Sequence, residues 1–147
     1  MAPIVVTTDI ARPPEEVFSY ATDPSRFGEW QVGVVSGGTE GVGPPGVGTR
    51  CTVTRKLGGA ERTLTSEITE LDPPRTWAIH GIDGPLRADV KVTVIPAGDS
   101  GGSRITIALD FFGRGIGKAI LPIAVRQARK EAPQSCQTLK TRLEGGE

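Results

Sequence analysis

Two arginines, Arg55 and Arg62, have the spacing that points most directly to chemistry. They lie at equal distances on either side of Gly58-Gly59, and a two-residue hairpin turn at this glycine pair, which requires positive φ, places them directly opposite each other. Like charges in this position repel, and burying them costs further free energy unless an anion lies between them. Two interpretations follow: both guanidinium groups reach into water, or they hold a carboxylate, phosphate or enolate of a ligand.

His80 and Cys51 are of a catalytic type, but neither is predicted to have the partners that catalysis requires. His80 is the only histidine of the chain, and strand parity predicts it on an outer sheet face opposite Arg87. Cys51 is predicted on the inner face, where a free cysteine is usually a small core residue and a reactive thiolate needs a nearby base. We therefore expect neither histidine-based catalysis nor a metal site.

Gln127 and Glu131 interrupt the apolar stripe of the predicted C-terminal helix. Either they lie at the edge of the stripe in water, or they supply the few polar groups that orient a ligand in an apolar pocket. A buried carboxyl at position 131 would be a candidate general acid or base. The candidates for a catalytic role are therefore Arg55, Arg62 and Glu131. No cofactor is expected, because the glycine-rich segments 41–43 and 113–117 lack the spacing of a nucleotide-binding loop.

A hairpin centred on Gly58-Gly59 sorts the flanking side chains into two consistent faces. One face carries opposite-charge and hydroxyl pairs, which favour contact between neighbouring strands. The other face is mostly apolar, and a slip of one residue would mix the two. The predicted pairs are Arg50 with Glu67, Thr52 with Thr65, Thr54 with Thr63 and Lys56 with Glu61 on the polar face, and Thr49 with Ile68, Cys51 with Ser66, Val53 with Leu64, Arg55 with Arg62 and Leu57 with Ala60 on the apolar face.

The other strands and the first two helices are predicted from alternation, caps and breakers. One short helix begins at Pro13-Pro14, and a second is capped by Asp23 before Pro24. Further strands are expected at 4–11, 32–40, 76–82, 86–95 and 104–112.

A long C-terminal helix is expected over 113–143, with kinks or a break at Pro122 and Pro133, since each proline removes a backbone donor. Its apolar stripe is predicted at Ile116, Ile120, Ile123, Gln127, Glu131 or Ala132, Ser135, Leu139 and Leu143. The order β-α-α, then six strands, then one helix indicates an α+β fold whose antiparallel sheet curls around that helix.

Composition limits the classes of partner. The chain has 147 residues, of which 37% are hydrophobic, and this predicts a single globular domain over 1–147. The 17 basic residues balance the 17 acidic ones, so nucleic acid is not an expected partner. No apolar run reaches about 18 residues, so stable membrane insertion is not expected. The two cysteines lack metal-site spacing and no leader is evident, which favours the cytoplasm. The basic excess after Gly113 is interpreted as a solvated helix face rather than an interaction surface. Monomer and homodimer both remain open.

Several motifs together resemble one superfamily. They are Ile10 to Phe18 (IARPPEEVF), Asp23-Pro24, Trp30, Gly48-Thr49-Arg50, Ile68 to Arg75 (ITELDPPR) and Leu139 to Glu144 (LKTRLE). The chain thus resembles the SRPBCC superfamily, and more closely its polyketide cyclase/dehydrase type, related to START lipid-transfer domains and the birch-pollen-allergen fold. Cys51, often aromatic in the family, and Pro133 depart from the pattern.

The resemblance implies a helix-grip domain that binds a hydrophobic or aromatic, lipid- or polyketide-like small molecule in a cavity between the sheet and the last helix. The alternatives are a cyclase, aromatase or dehydratase acting in that cavity, and an interaction module whose cavity has collapsed, because fold alone does not assign function. The expected ligand-binding residues are Trp30, Val53, Arg55, Arg62, Leu64, Trp77, Ile79, Val90, Val92, Ile107, Leu109, Phe111, Ile120, Ile123 and Gln127.

Overall fold

The computed structural model describes residues 3–57, 59–98 and 101–145 of the chain. Its elements, in chain order, are β1 Ile4–Ile10, α1 Pro14–Ala21, a 3-10 turn Pro24–Arg26, α2 Phe27–Trp30, β2 Val34–Thr39, β3 Arg50–Leu57, β4 Ala60–Asp72, β5 Thr76–Asp83, β6 Leu86–Ala97, β7 Gly102–Gly113 and α3 Gly117–Gly145. The strands form one curved antiparallel sheet in the order β1-β7-β6-β5-β4-β3-β2. The predicted helix-grip architecture is confirmed.

The short helices begin where the proline and aspartate signals predicted. Pro13, in extended conformation, precedes α1, which has Pro14 in its first turn and Glu15 and Glu16 near its positive end. The Asp23 carboxylate accepts a hydrogen bond from the backbone N–H of Ser25 at 3.0 Å and so caps the next turn. These two starts place α1 and α2 across one end of the concave sheet face.

The β3-β4 hairpin has the predicted register at every pair from Arg50 with Glu67 to Leu57 with Ala60. Gly59 has φ of 83°, as the turn requires, while Gly58 lies outside the described residues. Arg55 and Arg62 are therefore opposite each other, as predicted.

The β5-β6 pairing differs from the prediction by two residues. His80 lies opposite Asp89 rather than Arg87, because the turn is centred on Gly84-Pro85 instead of Asp83-Gly84. Gly84 supplies positive φ at the first turn position, and Pro85, which has no N–H, falls outside the ladder. A shift of two preserves the faces, so Trp77, Ile79 and Val92 still belong to the inner side.

The C-terminal helix begins at Gly117 rather than at Gly113, which corrects its predicted start. Kinks or a break were expected at Pro122 and Pro133, and the helix is unbroken at both. Both prolines are exposed, so water can solvate the carbonyls that lose their helical donor. Within the described residues, no helix is both long and apolar enough to cross a membrane.

The first half of α3 is rotated about its axis relative to the predicted stripe, whereas the second half agrees with the stripe at Ala132, Ser135, Leu139 and Leu143. A side chain at Gly117 would collide with the carbonyl group of Pro85, so the helix start lies against the β5-β6 turn at a distance that only glycine permits. In this orientation the inward residues are mostly small, whereas Ile116 and Ile123 are 72% and 49% exposed. The buried residues of α3 are Gly117, Ala124, Val125, Ala128, Ala132, Ser135, Cys136, Leu139 and Leu143.

Candidate functional site

A cavity of about 100 Å³ lies between the inner face of the sheet and the helices. Its wall is mainly apolar, with polar groups from Gln31, Arg55, Ser66, Glu131 and Ser135. Eleven of the fifteen predicted ligand-binding residues line it: Trp30, Val53, Arg55, Leu64, Trp77, Ile79, Val90, Val92, Ile107, Leu109 and Phe111. That these residues bind a ligand stays a prediction, but the structure brings them together around one space.

Four predicted residues do not line the cavity. Ile120 packs with Leu57 and Leu86 in a separate apolar cluster, and Ile123 is half exposed. Both lie off the cavity wall because Ala124, Val125 and Ala128 take the buried side of this part of the helix. The Gln127 amide donates to the backbone oxygen of Lys56 at 2.7 Å, so it joins α3 to the end of β3.

Arg62 is the fourth of these residues. It shares the inner side with Arg55 but lies outside the cavity wall, and its buried Nε has no hydrogen-bond partner among the described residues. Of the two opposed arginines, Arg55 therefore lines the cavity and Arg62 does not.

Short side chains create the space, and the sequence indicated most of them. Strand parity places Ser66 and Ala88 on the inner face, and Ala132 and Ser135 belong to the predicted stripe of the last helix. Ala128 was missed, because that stripe placed Gln127 inward instead. The lining residues outside the predicted ligand-binding set are Val6, Ala21, Phe27, Gln31, Val32, Cys51, Ser66, Ala88, Ala128, Glu131, Ala132 and Ser135.

Arg55 provides the positive charge of the cavity. Its Nη2 donates to the Gln31 side-chain oxygen at 2.7 Å, which is its one side-chain hydrogen bond within the described ranges. Burial lowers the pKa of the Arg55 guanidinium, and the negative charge of Glu131 partly opposes this effect. No carboxylate of the described residues approaches Arg55 closely enough to form an ion pair. The Arg55 guanidinium is therefore hydrogen-bonded to a neutral amide, and the Glu131 carboxylate acts on it from beyond ion-pair distance.

The position of Gln31 follows from the end of α2. The backbone N–H of Gln31 donates to Phe27 at 2.8 Å, and the backbone N–H of Val32 donates to the buried Ser135 hydroxyl on α3 at 2.8 Å. These bonds hold the segment between helix and sheet, where the Gln31 side chain reaches Arg55. On α3, both Glu131 oxygens accept from the Gln127 amide at 3.3 Å.

Trp30 contributes a polar atom that lacks a partner. The residue is only 4% exposed, and its indole Nε1 has no hydrogen-bond acceptor in the described part of the chain. Its ring is held edge-on to Phe27 at 6.0 Å, and Phe27 meets Trp77 in the same geometry. A buried indole N–H usually has an acceptor, so this one is an exception.

His80 and Cys51 are the other two residues of a catalytic type. His80 is exposed on the outer face, with Nδ1 at 2.7 Å from Asp89 Oδ1, as expected for a residue outside the site. Within the described ranges, no group of His, Cys, Asp and Glu side chains is arranged to hold a metal ion. Cys51 lines the cavity, but burial raises the pKa of its thiol to about 11.

We expect Cys51 to be unreactive in the folded protein. With a thiol pKa of about 11, only about a thousandth of it is thiolate near pH 8, and the thiolate is the nucleophile. Burial also raises the pKa of the Cys136 thiol. Iodoacetamide treatment followed by intact-mass measurement should show almost no alkylation without denaturant and two additions in urea. Rapid single alkylation of the native protein at Cys51 would contradict this prediction.

The curved sheet and the long helix packed against it define a helix-grip domain. The chain belongs to the family described as polyketide cyclase / dehydrase and lipid transport, whose sequence profile matches residues 1–144. Among curated proteins it is similar to MT1597 and Rv1546 of two Mycobacterium tuberculosis strains, both described as uncharacterized. Each is 25% identical over 136 residues, which cover 92% of this chain and 94% of the relative.

Solved structures show the same fold at low sequence identity. TTHA0849 from Thermus thermophilus has a TM-score of 0.77 at 19% identity, covering 98% of both chains. A START superfamily protein from Mycobacterium smegmatis has a TM-score of 0.77 at 12% identity, covering both chains completely. The di-domain ARO/CYC protein BexL of the BE-7585A biosynthetic pathway has a TM-score of 0.71 at 16% identity, covering 98% of this chain and 47% of BexL. At these identities the likeness establishes the fold alone.

Proposed function

We propose that the protein binds a small hydrophobic or aromatic molecule, lipid- or polyketide-like in character, that carries one anionic group. The observation that carries this proposal is the Arg55 guanidinium in the wall of a mainly apolar cavity, with a neutral amide as its hydrogen-bond partner. A cation removed from water without a close counter-ion is destabilising. A carboxylate or enolate of the ligand would supply that counter-ion, and planar guanidinium groups suit such oxygens.

The mainly apolar wall around Arg55 supports the same class of ligand. The apolar remainder of the wall would contact the hydrocarbon part of the molecule. This combination favours an acid or enol with an apolar body over either a pure hydrocarbon or a strongly polar metabolite.

The size of the cavity limits the ligand. About 100 Å³ is smaller than the roughly 300 to 1,000 Å³ of pockets that hold drug-sized ligands. A ring acid or a short acyl chain is therefore the preferred occupant, whereas a long lipid chain would require the helix and sheet to separate. The existence of the cavity argues against an interaction module with a collapsed interior.

The test compares benzoate with benzamide, its neutral analogue of similar shape. Both tryptophans of the chain, Trp30 and Trp77, line the cavity, so intrinsic fluorescence reports on this space directly. We expect benzoate to bind at least about tenfold more tightly than benzamide, as a charge-assisted bond to Arg55 implies. Native mass spectrometry of freshly purified protein would identify a retained molecule. Equal affinity for the acid and the amide would exclude an anion-selective site.

One observation favours an enzyme as the second candidate: the carboxyl of Glu131 and the guanidinium of Arg55 line the same cavity. In a cyclase, aromatase or dehydratase, Arg55 would stabilise an enolate oxygen while Glu131 moved a proton. Deuterium exchange at the central carbon of ethyl acetoacetate, followed by NMR, would detect such activity. If the protein is an enzyme, exchange should be faster than in buffer alone, and Glu131→Gln should return it to the buffer rate. If it is a carrier, neither the wild type nor the variant should accelerate exchange.

Three further properties remain predictions of this proposal. We infer a reducing compartment such as the cytoplasm, because Cys51 and Cys136 are free and buried. Nucleic acid is not an expected partner of a chain with equal numbers of acidic and basic residues. The ligand site is formed within one chain, so either a monomer or a homodimer would be competent.

A further inference from the structure

The segment 112–130 concentrates positive charge at one side of the molecule. It contains five of the 17 basic residues of the chain and none of the 17 acidic residues. These five residues, which we term the basic face, are all exposed and lie on α3 or just before it. They are Arg114, Lys118, Arg126, Arg129 and Lys130.

The charges of the basic face are not neutralised by the protein. Within the described residues, none of the five forms an ion pair or a side-chain hydrogen bond. Other exposed cations do have partners: Arg75 binds Asp72 at 2.7 Å, Lys91 lies 3.2 Å from Glu70, and Arg104 binds Asp9 at 2.8 Å. The basic face therefore carries uncompensated positive charge, although the chain as a whole has a net charge of zero.

Large apolar side chains are exposed beside these cations. Ile116, Ile123 and Phe112 are 72%, 49% and 43% exposed. On α3, Ile123 shares its outward side with Arg126 and Lys130, because residues three and seven positions apart lie on one helix face. Exposed aliphatic groups flanked by lysine and arginine are the composition of surfaces that lie on lipid headgroups. The apolar groups would enter the boundary region while the cations contact phosphates.

We propose that the basic face docks on an anionic lipid surface. A nucleic acid fits less well, since the apolar side chains in the patch are mostly aliphatic and offer little for base stacking. A second copy of the same face would be repelled by like charge. The helical turns that carry Arg129 and Lys130 also present Ala128 and Ala132 to the cavity, so docking would bring one cavity wall beside the membrane. The proposal does not depend on the identity of the cavity ligand.

Co-sedimentation with vesicles tests this surface directly. The full chain is mixed with vesicles of phosphatidylcholine alone, or of phosphatidylcholine with phosphatidylglycerol, at low and at high salt. We expect binding to the anionic vesicles at low salt, a large reduction at high salt through screening, and little binding to neutral vesicles. Arg126→Gln combined with Arg129→Gln and Lys130→Gln should lower partitioning by about a hundredfold, since each cation near such a surface contributes about a fivefold factor.

A matched triple variant distinguishes the effect of charge on the basic face from the effect of the total charge of the protein. Arg75→Gln with Lys91→Gln and Arg104→Gln removes the same charge from exposed positions outside the basic face and should change partitioning by no more than about threefold. Ile116→Ser with Ile123→Ser should weaken the binding that persists at high salt. Circular dichroism confirms that each variant is folded. The proposal would be overturned if the protein did not bind anionic vesicles at low salt, or if the two triple variants lost binding equally. It would also be overturned if the protein self-associated without lipid and the first triple variant abolished that self-association.

Discussion

Replacing Ala132 by leucine should abolish ligand binding while leaving the protein at least as stable as the wild type. Ala132 lies on the buried side of α3 and lines the cavity. Three additional carbon atoms would occupy much of a space of about 100 Å³, so a ligand of ring size could no longer enter. We expect the affinity for benzoate to fall by at least about a hundredfold, while filling the void raises the free energy of unfolding by about 0.5 to 2 kcal/mol.

Ala119→Leu is the matched control, because it is the same substitution on the exposed side of the same helix. It should leave benzoate affinity unchanged and alter stability by no more than about 0.5 kcal/mol. Fluorescence titration and urea denaturation measure the two quantities for both variants. Wild-type affinity in a folded Ala132→Leu protein would show that the molecule binds elsewhere. A large loss of stability would show instead that the space is too narrow for leucine, and Ala128→Val would then provide a milder filling test.

Replacing Arg55 by methionine should have two opposite effects: it should stabilise the fold and remove the preference for anionic ligands. Burial lowers the pKa of this guanidinium, so the folded state holds the arginine proton more weakly than the unfolded chain does. The charge therefore opposes folding at every pH below its folded pKa, which includes the whole neutral range. Methionine retains an apolar side chain of similar length without that cost. We expect a gain of about 1 kcal/mol, the lower end of the range for buried charges, because Arg55 is only partly buried.

The binding measurement in the same variant decides the role of Arg55. Benzoate should lose at least about tenfold in affinity, since the charge-assisted bond is gone, while benzamide should be little affected. Arg50→Met, an exposed substitution in the same strand opposite Glu67, serves as the control and should change neither affinity. If Arg55→Met destabilised the protein and bound the acid and amide as the wild type does, Arg55 would be a structural group and not an anion receptor.

The local patterns of the chain were sufficient for most of the fold. Gly58-Gly59 and the alternation around it predicted every pair of the β3-β4 ladder, because the pairing of a tight hairpin follows from its turn and its two faces. Prolines and aspartate located the starts of α1 and of the following turn. The inner strand residues of the cavity followed from the same parity.

The helical side of the cavity followed from the sequence only in part. The predicted stripe included Glu131 or Ala132 and Ser135, which line the cavity, but it also placed Ile116, Ile120 and Ile123 inward and omitted Ala128. The spacing of side chains along α3 does not encode the close approach of Gly117 to the Pro85 carbonyl, which helps to set the rotation of the first half of the helix. Kinks or a break were expected at Pro122 and Pro133, and the helix is unbroken at both.

The sequence by itself determined the order of the elements, the hairpin register, the inner faces of the strands and the membership in the family. These depend on turn conformation and on side-chain alternation, which act between residues close together in the chain. Only the tertiary structure decided that Arg55 and not Arg62 lines the cavity, that Gln31 is its partner, and that Ala128 rather than Gln127 faces the space. These features depend on close approaches between elements far apart in sequence, and no local pattern specifies such distances.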